Sequence, residues 1–349
     1  MPRAAEESVR HGAQQAEHGD GNVPRAVDEL DKRIAVALQI SPRAHWRQIA
    51  AMAGTSESTA RRHAERMVQA GLIRITAIAD VLMPGFPSLV QFTCDRHQVG
   101  DVALRLAERD DIRFVSLVTG RFDVVAELIV RGPNELARII LQELPTIPGI
   151  SHTTTETVLH NFKTSYDWGR DLLEPGADRW ESSTPLSAVT ARSFSFDPID
   201  LQLSACLRQN GRMSYAELAA CCGISEPMAR RRVDTLINAA GVRPVAFVNP
   251  RLLGYAVELL IWLRVDLSQL EHIASALAAR REVRYLSATS GFSDLVCEII
   301  LPSHAQLYLF LTRVLGMLPG IRQVDTAAEL QTLKRAFVRT AAPASSAAE

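Results

Sequence analysis

The chain is written twice. Leu30-Asp31-x-x-Ile34 returns as Ile199-Asp200-x-x-Leu203, and Ser56-Glu57-Ser58-Thr59-Ala60-Arg61-Arg62 returns as Ser225-Glu226-Pro227-Met228-Ala229-Arg230-Arg231. These copies lie 169 residues apart. Gly120-Arg121-Phe122-Asp123 returns as Gly291-Phe292-Ser293-Asp294, and Pro148-Gly149-Ile150 as Pro319-Gly320-Ile321, now 171 residues apart. Small insertions separate copies that otherwise stay in register. A repeat of this length is not a solenoid unit, whose period is roughly 20–50 residues. It is a duplicated module, so the chain must fold into two related halves.

Each copy changes character midway. In the first, Leu30, Ile34, Ala35 and Leu38 have helical spacing, and Trp46, Ile49, Ala50 and Met52 mark a second helix. Gly54 breaks that helix, and Ser56 caps a third with Ala60, Ala64 and Met67 on one face. Gly71 ends it, and Leu72-Ile73-Arg74-Ile75 begins an extended segment. The second copy repeats the scheme through Ile199, Leu203 and Leu207, then Tyr215, Leu218 and Ala219, then Gly223, Ser225 and a face of Ala229, Val233 and Leu236. Three helices with a glycine turn before the third, followed by a strand, predict a winged helix-turn-helix.

The back halves predict strand 88–93, helix 99–109, strands 114–118 and 124–130, helix 135–144 and strand 150–159, with the same order in the second copy. That order, β-α-β-β-α-β, is the ferredoxin-like arrangement. The expected fold class is α+β: winged helix-turn-helix domains at 27–77 and 196–248, and ferredoxin-like effector and oligomerisation domains at 84–163 and 254–338. Residues 164–195 read as a linker holding Trp168 and Trp180, both expected to pack back onto a module, and 1–26 and 339–349 read as disordered tails.

Net charge is −1, so any affinity for a polyanion must come from local patches. Arg43, Arg47, Arg61, Arg62, Arg66 and Arg74 outweigh Glu57 and Glu65 in the first front half. Arg208, Arg212, Arg230, Arg231, Arg232 and Arg243 outweigh Glu217, Glu226 and Asp234 in the second. A solvated arginine face is the bland reading of one such patch. Its recurrence on the third helix of two helix-turn-helix motifs favours DNA. Asp31 and Asp200, near helix starts, read as caps rather than catalysts.

The five cysteines form no C-x-x-C pair and suit reduced core thiols of a cytoplasmic protein. No histidine pair has metal-ligand spacing, and no phosphate loop or nucleophile elbow is present, so neither metal nor cofactor is expected. No apolar run approaches the roughly 20 residues of a membrane span, and the first 26 residues hold no signal-like core.

The string from Ser56 to Ile73 closely resembles the recognition helix of the Lrp/AsnC transcriptional regulators, and Leu30-Asp31 and Ile49-Ala50 match their upstream pattern. Gly120/Asp123 with Pro148-Gly149-Ile150, and Gly291/Asp294 with Pro319-Gly320-Ile321, match their C-terminal domain. The resemblance covers roughly 27–163 and 196–338. It implies a sequence-specific regulator that binds double-stranded DNA through Ser56, Ser58, Thr59, Arg61, Arg62 and Arg66, and through Ser225, Met228, Arg230, Arg231 and Arg232. The occurrence of His63 opposite Arg232 puts the first copy's DNA affinity in question. It implies an amino-acid or related effector held by Thr119, Gly120, Arg121 and Asp123, and by Ser290, Gly291, Phe292 and Asp294. It also implies self-association through the ferredoxin-like domains. Family members carry one module per chain, so this chain can supply both halves of a dimer. Two rivals share the scaffold: a sirohaem decarboxylase-like enzyme, and an effector-binding co-regulator with one degenerate DNA-binding half.

Overall fold

The computed structural model describes residues 27–78, 85–164, 166, 168–169, 195–239 and 241–340. The expected tails, apart from residues 339–340, and most of the linker, including Trp180, lie outside them. The first front half holds α1 (Glu29–Ile40), α2 (Trp46–Ala53), α3 (Glu57–Gln69) and β1 (Ile73–Ile78). The second holds α6 (Pro198–Gln209), α7 (Tyr215–Cys222), α8 (Glu226–Asn238) and β6 (Arg243–Val248). Asp28 caps α1 and Asp31 closes the capping box; Asp197 and Asp200 do the same for α6. The carboxylates expected as caps are therefore the third residues of their helices, and the caps themselves sit three residues earlier.

The strand that follows the third helix does not stay with its own module. β1 pairs antiparallel with β6, from Ile73 opposite Val248 to Ile78 opposite Arg243. Ala246 and Val248 complete the core of the first helix-turn-helix, and Ala77 completes that of the second. Thr76 Oγ1 donates to Arg208 O, and Gly211 N donates to Ile75 O. A Cβ on Gly211 would fall 2.6 Å from Thr76 O, so the crossing requires glycine there. Trp168 also packs on the first core, its ring 5.4 Å from Tyr255.

The back halves hold β2 (Phe86–Cys94), α4 (Val99–Glu108), β3 (Ile112–Val118), β4 (Val124–Val130), α5 (Pro133–Arg138) and β5 (Ile150–Thr164), then β7 (Val257–Val265), α9 (Leu270–Ala278), β8 (Val283–Ser290), β9 (Leu295–Leu301), α10 (His304–Leu309) and β10 (Ile321–Arg335), with β11 (Val338–Arg339) appended. α5 and α10 each continue into a π turn, at Ile139–Glu143 and Phe310–Val314. The strands run β10-β3-β4-β2-β5-β8-β9-β7, and β7 pairs back to β10, so eight strands close on themselves. Alternation along each strand divides the side chains. Val124, Ala126 and Leu128 face α4, while Val125 and Glu127 face the enclosed side. The enclosed core joins Leu89, Val118, Phe122 and Val125 of one copy to Leu260, Trp262, Val296 and Ala327 of the other.

One expectation fails among the cysteines. Cys94 and Cys297 are buried free thiols, but Cys206 of α6 and Cys221 of α7 are joined in a disulfide. The two residues meet where α6 packs on α7; the first copy has Ala37 and Met52 there.

Candidate functional site

The exposed side of each third helix is narrower than its composition suggests. On α3, Ala60, His63, Ala64 and Met67 are buried, and Ser56, Ser58, Arg61 and Arg62 are exposed. Ser56 accepts from Thr59 N at 3.3 Å as the cap, and Thr59 is half-buried. Arg61 donates to Glu65 at 2.7 Å along the helix. On α8, Ser225, Arg230 and Arg231 are exposed and Met228 is half-buried. Arg230 lies 4.8 Å from the centre of the Tyr215 ring.

Arg66 and Arg232 belong elsewhere. Arg66 Nη2 donates to both oxygens of Asp31, at 2.5 and 2.6 Å, and His63 Nδ1 lies 2.8 Å from the same carboxylate. Arg232 Nη1 donates to Asp197 at 2.7 Å and Asp200 at 2.8 Å. Both sequence positions point at the start of the module's own first helix, because they sit on the inner side of the third. The exchange of His63 for Arg232 thus changes an internal tie and not the outer surface.

Arg43 and Arg212 are also withdrawn from the basic patches. Arg43 donates to Gly211 O and Met213 O at 2.6 and 3.1 Å, and Arg212 donates to Pro42 O and Ala44 O at 2.6 and 2.8 Å. Each guanidinium bridges carbonyls of the opposite module and lies over that module's aromatic ring, Tyr215 at 5.6 Å and Trp46 at 4.1 Å. Desolvation lowers the Arg212 pKa to about 10, so it remains charged at neutral pH. This reciprocal clasp sets the spacing of the two helix-turn-helix units. Arg74 donates to Arg339 O, and Arg243 is buried beside Tyr166. Arg47, Arg61, Arg62, Arg208, Arg230 and Arg231 remain exposed.

The two glycine-aspartate turns meet at one end of the closed sheet. Gly120 and Gly291 take φ of +94° and +144°, which disfavours any side chain there. Arg121 lies 4.6 Å from the Phe292 ring centre, and the Phe122 and Phe292 rings are 6.2 Å apart. Asp123 Oδ2 accepts from Cys94 N at 2.7 Å, and Asp294 Oδ2 accepts from Val265 N at 2.8 Å. Both aspartates are half-buried and staple the turn to a neighbouring strand end, so one oxygen of each carboxylate is engaged within the fold. Thr119 pairs with Ala328 through its backbone N–H and its hydroxyl, and Ser290 is exposed.

Sequence reading missed what lies beneath these turns. Glu156 is fully buried; Oε1 accepts from Ser293 N and Oγ at 2.6 and 2.7 Å, and Oε2 accepts from Gln91 at 2.6 Å. The available signal was a carboxylate and an amide at inward positions of otherwise alternating strands.

Residues 27–68 and 196–237 match the AsnC-type helix-turn-helix domain, and residues 88–168 and 258–338 match the Lrp/AsnC ligand binding domain. An uncharacterised HTH-type transcriptional regulator of Pyrococcus furiosus is 32% identical over 146 residues, spanning 41% of this chain and 96% of the relative. The HTH-type transcriptional regulator Ptr1 of Methanocaldococcus jannaschii is 31% identical over 139 residues, 40% of this chain and 94% of its own. Relatives of this kind have the length of one module. The siroheme decarboxylase NirDL superposes over 90% of this chain and 95% of its own with a TM-score of 0.56 and 14% identity, a likeness of fold alone. Among the described residues no helix is long and apolar enough to cross a membrane.

Proposed function

The chain belongs to the Lrp/AsnC family of helix-turn-helix transcriptional regulators, and from that premise we propose that one polypeptide acts as a covalent pseudo-dimer, reading double-stranded DNA in the cytoplasm with α3 and α8. The observation that carries this reading is the division of the arginines. Arg61, Arg62, Arg230 and Arg231 stay on the outer surface of the third helices, while Arg43, Arg66, Arg212 and Arg232 hold the two units together and in shape. Ser56, Ser58 and Ser225 are exposed at the helix starts, where base readout occurs in such motifs. Thr59 and Met228, half-buried, have smaller parts. Residues 27–77 and 196–248 are assigned to DNA, and 84–163 and 254–338 to effector binding and further association.

An amino acid or related metabolite is assigned to the joined turns at 119–123 and 290–294, with Gly120, Gly291, Arg121 and Phe292 offering the accessible surface. Asp123 and Asp294 shape that surface through their backbone staples. A regulator, rather than an enzyme of the decarboxylase kind, is the reading that the relatives' names support.

The test is DNA binding as a function of salt. Arg62→Ala and Arg231→Ala should each reduce the log–log salt slope by roughly 0.9 if each contacts a phosphate. Unchanged slope and affinity in the double variant would remove the third helices from the interface. Because Ser58-Thr59 in one helix faces Pro227-Met228 in the other, the two half-sites should be related but unequal. Equal binding to a perfect palindrome of either half-site would sink that asymmetry.

A further inference from the structure

Three cysteines converge in the second helix-turn-helix, and the first has none. Cys206 of α6 and Cys221 and Cys222 of α7 bring their Sγ atoms within 4.8 Å of one another. The equivalent positions of the first copy hold Ala37, Met52 and Ala53. There α1 packs on α2 with Ala37 and Ala53 fully buried, so the packing of these two helices does not call for a thiol. Cys222 is the last residue of α7, and Gly223, in the left-handed conformation, turns the chain towards α8. The cluster therefore stands at the turn that leads into a recognition helix.

Burial divides the three sulfurs. Cys206 belongs to the apolar core with Leu203, Leu207 and Leu218, Cys222 is half-buried against that core, and Cys221 is exposed. The cluster is thus closed on its inner side and open to an incoming ion on its outer side. Soft thiolates select soft ions. Among the described residues no histidine or carboxylate joins the three sulfurs at that spacing. A four-coordinate ion such as Zn²⁺ would lack a fourth protein ligand, and three thiolates would leave it with a net negative charge against an apolar core. Desolvation already pushes the Cys222 thiol up, which disfavours its charged form. Trivalent arsenic takes three sulfurs and no fourth ligand, and its tris-thiolate is neutral. The Cα atoms of Cys206 and Cys221 stand 7.3 Å apart, which leaves room for an ion between the two sulfurs once they separate.

We propose that the three thiols in their reduced form are a binding site for a soft three-coordinate ion, trivalent arsenic, and that the Cys206–Cys221 disulfide is the closed, oxidised form of that site. A trialkylphosphine opens it. The phosphorus takes the oxygen of one water and becomes the phosphine oxide, the S–S bond breaks, and the two hydrogens of that water go to Cys206 and Cys221. Arsenous acid, As(OH)₃, then exchanges its three hydroxyls for the three sulfurs, and each thiol proton leaves with a hydroxyl as water. The arsenic stays trivalent throughout. Cys94 and Cys297 stand apart from the cluster as buried thiols of the sheet. Burial raises both, Cys94 to about 11, so both stay outside the exchange. Sequence spacing hides the site because Cys206 lies 15 residues before Cys221.

The test uses the full chain, opened with the phosphine, freed of it, and titrated with arsenite. Native mass spectrometry and thiol alkylation should find one arsenic per chain and three thiols protected. Chain that has not met the phosphine should retain none. Cys222→Ser should weaken retention at least about tenfold, near 1.4 kcal/mol. Should that variant fail to fold, Cys222→Ala, the residue of the first copy, reads the same loss. The triple variant Cys206→Ala, Cys221→Met, Cys222→Ala installs the whole set of the first copy, and it should fold with an unchanged circular dichroism spectrum and retain no arsenic. No retention by the opened chain, equal retention by the unopened chain or the triple variant, or an unaltered affinity in a folded Cys222 variant would overturn the proposal. So would Zn²⁺ bound in place of arsenic from an equal mixture.

Discussion

Beneath the two glycine-aspartate turns the copies have solved one packing problem in opposite ways. Under the first turn, Phe122 packs with Trp262 and Ala327, with the Phe122 and Trp262 rings 5.9 Å apart. At the equivalent positions under the second turn stand Ser293, Gln91 and Glu156, joined by three hydrogen bonds. In a dimer of identical chains each of these residues would occur twice, and an apolar and a polar solution could not coexist. Covalent duplication removes that constraint. Where the copies still agree, as in the Arg43 and Arg212 clasp or the Asp123 and Asp294 staples, the geometry serves both halves at once.

The sharpest way to break this comparison is to delete each solution in turn. Phe122→Ala should cost about 3–5 kcal/mol, since it empties a buried aromatic site. Glu156→Ala should cost about 2–3 kcal/mol, because it strands Ser293 and Gln91 without their charged acceptor. Replacing Glu156 and Gln91 together by leucine should recover the part of that loss that comes from Gln91, as both partners of that buried contact are then removed, while Ser293 N still lacks its acceptor. Chemical denaturation of the three variants decides it. If the double leucine variant is no more stable than Glu156→Ala, the polar cluster is required by shape and not merely tolerated.

A smaller difference separates the two arginines of the clasp. Arg212 stacks on Trp46 at 4.1 Å, and Arg43 lies 5.6 Å from Tyr215. Arg212→Ala should therefore destabilise by about 3 kcal/mol and Arg43→Ala by about 2 kcal/mol, from two charged hydrogen bonds each and unequal ring contact. Equal losses in denaturation would show that the carbonyl bonds alone carry the clasp. In both variants the two recognition helices lose their fixed spacing, so binding to a natural operator should fall more than binding to an isolated half-site.

The duplication, the helix-turn-helix pattern and the β-α-β-β-α-β order were legible because each rests on local spacing: Ala60, Ala64 and Met67 declare a buried helical face whatever surrounds them. Partner choice across the duplication was not legible. Nothing local tells Ile73–Ile78 to pair with Arg243–Val248, or Arg43 to seek the carbonyls of Gly211 and Met213 rather than a phosphate. The same gap explains Arg66 and Arg232, whose basic side chains looked outward in composition and are claimed by aspartates 35 residues upstream. Asp123 and Asp294, expected as effector contacts, are held by backbone amides that lie 29 residues away in sequence, which local spacing does not reveal.

The smallest expected effect concerns the caps, where the copies should behave alike. The backbone N–H of Asp31 holds the Asp28 carboxyl below its ordinary value, and that of Asp200 does the same for Asp197, with Arg66 and Arg232 adding to each. A carboxyl whose folded-state pKa is depressed contributes stability that is present above its unfolded value, near 3.8, and is lost as pH falls through the folded value. Asp28→Asn and Asp197→Asn should therefore lie below the wild type in stability at neutral pH, and the gap should close as the solution is acidified below about pH 4. Both groups are largely solvated, so the gap should be small and should shrink further with added salt. The second copy adds one complication, because Arg232 bridges Asp197 and Asp200 whereas Arg66 and His63 engage Asp31 alone. Asp197→Asn should then show the stronger salt dependence of the two. A pH-independent gap in either variant would mean that the carboxyl acts as a hydrogen-bond acceptor only, and that its charge contributes nothing to holding the first helix of that module.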